Sequence, residues 1–115
     1  MDRDTKAVVD AYIECAIWAD CPEEDQKHCV GPSPEFEKRA YEDVQDFLDL
    51  VGRAGIPSEE WTDEQFGHDF WLTRQGHGTG FWDRGRGSGD RLSELSKIYG
   101  AKYAYVGDDG LFYAD

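Results

Sequence analysis

Histidines, arginines and carboxylates that could do chemistry crowd into residues 67–90, GHDFWLTRQGHGTGFWDRGRGSGD, together with seven glycines. Two chemistries suit these residue types. Successive glycine N–H groups can form an anion-binding nest, with Arg74, Arg84, Arg86 and Arg91 adding charge around it. Alternatively, His68 and His77 would act as acid and base, oriented by Asp69 or Asp83. The surrounding pattern supports neither strongly. GHGTG lacks the Lys-Ser/Thr of a phosphate-binding loop, and no convincing strand precedes it as a dinucleotide fingerprint requires. There is no nucleophile elbow and no metalloprotease motif. Read as a site, the stretch makes the protein a small enzyme or an anion- or nucleotide-binding domain. Its glycine-rich loop would then be residues 76–89, and its ligand-binding residues His77, Arg84 and Arg86.

A structural reading of the same residues is stronger. Glycine lets a chain turn sharply and lets backbone approach aromatic rings. The pairs Phe70–Trp71 and Phe81–Trp82 would both feed a small core, and His68 would donate to a backbone carbonyl inside it. RGRGSG invites comparison with arginine–glycine segments that bind single-stranded RNA. It is short and flanked by Asp83 and Asp90, so a tight loop is the expectation.

The elements that would position this stretch are legible. Val9, Tyr12, Ile13, Ala16 and Ile17 recur at helical spacing, predicting a helix over about 6–19 that Asp4 or Thr5 caps and Pro22 helps end. Residues 20–32 read as a polar loop. Ser33 as N-cap and Pro34 at the first helical position open a second helix, which Gly55 and Pro57 stop. At about 100° per residue, Phe36, Ala40, Val44, Phe47, Leu48 and Val51 share one face, while Glu35, Glu42, Asp46 and Asp49 form a narrow stripe opposite. Thr62 and Gln65 have capping-box spacing, Trp61 and Phe66 staple spacing, and Gly76 suits a left-handed helix end. A short helix follows over 90–99, capped by Asp90. KYAYV, GDDG and LFY then read as a hairpin. The expected fold is one domain over 1–115, α+β and mostly helical. It has about four helices and a C-terminal β-hairpin that a third strand near Phe81 would extend to a small sheet.

Three cysteines, Cys15, Cys21 and Cys29, argue against a simple disulfide framework. Cys15 reads as a small buried hydrophobe. Cys21, His28 and Cys29 lack a Cys-x-x-Cys pair, and adjacent His28 and Cys29 fit a tetrahedral site poorly, so no metal site and no cofactor are assigned. No apolar run approaches the ~20 residues of a membrane span, and the start is unlike a signal peptide. The expected location is the cytoplasm.

The formal net charge is −13, of which residues 1–66 carry −12. That half would repel phosphates and an anionic membrane. The expectation is therefore no direct nucleic acid and no membrane, but a protein partner with a basic surface.

GHDFWLTR at 67–74, GHG at 76–78, GFWDRG at 80–85 and YVGDDG at 105–110 resemble a group of small proteins of tailed phages and prophages. AYIECAIW at 11–18 is similar to that group as well. The resemblance covers roughly half the chain, and residues 19–60 do not match it. It implies a phage origin, with the bacterial host's cytoplasm as the location, and no mechanism. Charge and origin together lead to a small accessory protein acting by protein–protein interaction. It would inhibit a host nucleic-acid-binding or defence protein through an acidic, nucleic-acid-like surface, with Glu35, Glu42, Asp46 and Asp49 as the partner-binding face.

Overall fold

The computed structural model describes residues 3–115. Helix α1 spans Thr5–Asp20, α2 Pro34–Arg53, α3 Asp63–Gln75 and α4 Gly89–Lys97; strands β1, β2 and β3 are Gly31–Pro32, Ala104–Val106 and Leu111–Ala114. The protein is thus α+β and mostly helical, with a small three-stranded sheet.

The first three helices begin where their capping residues stand. Asp4 accepts from the Ala7 N–H, Ser33 from Phe36, and Thr62 from Gln65, whose own side chain returns to the Thr62 N–H. Gly76 ends α3 in the left-handed region at φ 77°, a conformation a Cβ would disfavour. Helix α4 departs from expectation: Ser88, not Asp90, is its N-cap, and no side chain caps it. Asp90 instead lies in the first turn, where its charge suits the helix dipole.

The third strand is not near Phe81. It is Gly31–Pro32, within the segment expected to be a polar loop, and it pairs parallel to β3 in the order β1-β3-β2. Proline cannot donate to a ladder, which suits its place on an edge strand. The antiparallel β2–β3 register sets Tyr105 opposite Tyr113 and Val106 opposite Phe112. Alternation then turns Phe112 and Ala114 into the core and Tyr103, Tyr105, Tyr113 and Asp115 to the outer face.

Helices α1 and α3 pack closely, and α2 packs on α1 and reaches α3 through Phe47. The core between them is aromatic. Phe47 stacks on Phe70 at 4.1 Å, and Phe66 and Phe81 meet edge to face at 5.2 Å. Tyr12 contacts Phe70 and Trp71, and Phe36 joins this cluster to Phe112 of the sheet at 5.1 Å. Burying each ring removes ~150–250 Å² from water, which lets a short chain form a stable core. Of the two expected aromatic pairs, only Phe70–Trp71 is fully internal. Phe81–Trp82 lies in a 3-10 turn over Phe81–Arg84, which sends Phe81 inward and leaves Trp82 46% exposed.

Candidate functional site

The polar groups of residues 67–90 bond mainly to other parts of the fold. Asp69 on α3 is buried and accepts from the Trp61 indole N–H at 2.9 Å. It also receives Arg84 in a fork, from Nε at 2.6 Å and Nη2 at 3.1 Å. Arg86 donates to Gln65 Oε1 at 2.9 Å, and its guanidinium lies 5.1 Å over the Trp61 ring. The arginine loop is thereby clamped onto the start of α3. His77 Nε2 sits 3.0 and 3.1 Å from the two oxygens of Asp20, which also accepts from Trp71 Nε1 at 2.5 Å. This joins the C-terminal ends of α1 and α3. Arg74, a candidate for charge around an anion nest, is buried against Asp43, Tyr12 and two carbonyls.

These contacts reassign the acid–base candidates. Asp69 is held by Trp61 and Arg84, and Asp83 accepts from Thr79 Oγ1 and the Gly80 N–H. The carboxylate bonded to a histidine is Asp20, outside the stretch. Arg84 gives a direct check. Arg84→Ala would strand a buried carboxylate, and the expected loss is about 2–3 kcal/mol in urea unfolding. That is below the cost at a deeply buried pair because the Arg84 side chain remains 29% exposed. An unchanged midpoint would free Arg84 from this structural assignment.

His68 does not donate to a backbone carbonyl as expected. Its Nε2 is buried without a hydrogen-bond partner, 3.9 Å from Glu14 Oε1. It lines an apolar cleft of about 370 Å³ with Glu14, Cys15, Trp18 and Leu72; neither His77 nor Arg84 belongs to that cleft. Burial pushes the Cys15 thiol up to about 12, so it stays protonated and unreactive at neutral pH. Among the described residues, no group of three or more His, Cys, Asp or Glu side chains is placed to hold a metal ion. No described helix is long and apolar enough to cross a membrane.

The acidic stripe lies on solvent. Glu35, Glu42, Asp46 and Asp49 are all exposed on α2, opposite buried Phe36, Ala40, Val44, Phe47 and Val51. Cations interleave with it on the same helix. Arg39 stands 3.8 Å from Glu42 and Arg53 3.0 Å from Asp49, with all four side chains more than half exposed. Exposed pairs of this kind contribute ~0–1 kcal/mol, so an incoming cation can displace them. Asp46 accepts from the Tyr99 hydroxyl at 2.6 Å. Burial, followed by this bond, keeps Tyr99 protonated far above the usual phenol range.

The sequence reading missed the outer face of the sheet. Tyr103, Tyr105 and Tyr113 stack there, with centroids 5.8 and 5.3 Å apart and planes 26° and 8° from parallel. The odd-numbered placement of these tyrosines, against even-numbered Phe112, was the available signal. No family model, curated protein or solved structure matches the chain.

Proposed function

We propose that this chain is a small acidic accessory protein, phage-encoded, that binds a host protein through the exposed face of α2. Its target is a nucleic-acid-binding or defence protein with a basic groove, which it inhibits by occupying that groove. The observation that carries this reading is the placement of Glu35, Glu42, Asp46 and Asp49 on solvent along one side of a 20-residue helix. Residues four and three apart are spaced about 6 and 4.5 Å along a helix axis, comparable to a row of phosphates. Such a surface gives fast, salt-sensitive association. The commitment of Arg84, Arg86 and His77 to internal contacts favours this reading over a ligand-binding loop.

Reversal of the stripe tests it. The triple variant Glu42→Lys, Asp46→Lys, Asp49→Lys should keep its circular dichroism spectrum. It should lose roughly tenfold or more in affinity for a basic protein captured from host lysate at low salt. The captured protein should release duplex DNA when the unmodified chain is added, and high salt should abolish capture. Equal capture by the folded triple variant, or a captured protein that keeps its DNA, would sink the proposal.

A further inference from the structure

We infer that the outer face of the sheet seats an arginine side chain of the same basic partner; this rests on the acidic-face reading and extends it from α2 to the hairpin. The seat is built by register. The Tyr103 and Asp115 backbones exchange two 2.9 Å hydrogen bonds, so their side chains share a face with the opposed pair Tyr105 and Tyr113. Three rings stack in sequence, and at the Tyr103 end the stack is open, with Tyr103 73% exposed. Such rings offer π surface to a planar cation.

Two carboxylates border this surface, Asp109 and Asp115. Asp109 accepts from the Tyr113 hydroxyl at 2.7 Å. Asp115 shares the face of Tyr105 and Tyr113 by register, and after the larger effect of desolvation its charge helps hold Tyr105 protonated. The α2 stripe begins at Glu35, next to Phe36, whose ring meets Phe112 of β3 at 5.1 Å, so the stripe starts beside the sheet.

The chemistry selects the occupant. A stacked nucleobase would carry its phosphate toward Asp109 and Asp115 and be repelled. A lysine ammonium meets the carboxylates but has no plane to lay on a ring. A guanidinium does both: it stacks on an aromatic face and forks onto a carboxylate.

The experiment uses the full chain with nona-arginine and nona-lysine peptides as probes, titrated calorimetrically at physiological ionic strength. The unmodified protein should bind nona-arginine about three- to fivefold more tightly, the size of an exposed cation–π contact. Tyr103→Ala and Tyr105→Leu should each reduce that preference while leaving nona-lysine affinity unchanged. Tyr103 lies outside β2 and is exposed, so its variant keeps the fold. Trp18→Ala, which removes an exposed aromatic on α1, should leave the preference intact. Equal binding of the two peptides, or a preference that survives both tyrosine variants, overturns the arginine seat. Failure of the α2 triple reversal to weaken either peptide overturns the acidic-face reading instead. No binding of either peptide overturns both.

Discussion

Gly67→Ala should destabilise the protein by about 3 kcal/mol and lower its Tm by roughly 10–20 °C. Helix propensity alone predicts the opposite sign, since alanine is favoured over glycine in a helix interior by ~1 kcal/mol. Packing decides between them. Gly67 is buried on α3 where that helix meets α1. A Cβ there would collide with the Val8 carbonyl oxygen and lie 2.9 Å from the Tyr12 backbone nitrogen and 3.0 Å from the Ala11 Cβ. Two of those three are backbone atoms of a helix, so no rotamer change relieves the overlap. The helices must separate, and the aromatic core between them must loosen. Gly52→Ala is the matched control. Gly52 lies in the last turn of α2, where a Cβ would meet nothing within 4 Å, and its replacement should stabilise by roughly 0.5–1 kcal/mol. Thermal unfolding of both variants reads the two signs; stabilisation by Gly67→Ala would refute the close approach of α1 and α3.

That glycine shows where sequence reasoning succeeds and where it stops. The starts of the first three helices and the end of α3 are legible because their signals are local. Ser33–Pro34, the Thr62/Gln65 box and Gly76 each act within a few residues of the group they satisfy. The role of Gly67 depends on which residue of α1 lies opposite, about 59 positions away, and nothing beside it records that. The same holds for β1. A two-residue Gly-Pro strand has no period, and its partner Leu111–Phe112 lies about 80 residues downstream. The two Phe-Trp pairs look equivalent in the sequence, yet one sits on a helix between two packed layers and the other in a 3-10 turn at the surface. Only backbone geometry separates buried Trp71 from half-exposed Trp82. The acidic stripe was legible because an amphipathic helix states its own two faces. Its interleaving with Arg39 and Arg53 follows from the same helical count. Its start beside the sheet, at Phe36 against Phe112, does not, since that requires knowing where the hairpin docks.

Arg74→Ala should cost about 3–5 kcal/mol, because it removes one partner from a buried network and leaves the rest unpaired. The Arg74 side chain is 3% exposed and its ion-pair partner Asp43 19% exposed, at 2.7 Å. The same guanidinium donates to the Tyr12 hydroxyl at 3.0 Å, the Gly100 carbonyl at 2.9 Å and the Tyr99 carbonyl at 2.8 Å. It also lies 5.8 and 5.6 Å from the centroids of the Phe70 and Tyr99 rings. One side chain thus joins α1, α2, α3 and the chain end of α4. Its position in the last turn of α3 suits the helix dipole, but that interaction is worth ~0.3–1 kcal/mol and does not explain the burial. Arg74→Lys should recover only part of the loss, about half, since an ammonium cannot aim donors along the directions that Nε, Nη1 and Nη2 cover. The double variant Arg74→Met, Asp43→Leu should be more stable than Arg74→Ala, because it removes the stranded charge together with its partner. Urea unfolding of the three variants gives the ordering. If lysine restores full stability, the fork geometry is irrelevant and a point charge suffices. If the double variant is the least stable, the arginine's bonds to the carbonyls and to Tyr12, rather than the Asp43 pair, hold the layers together.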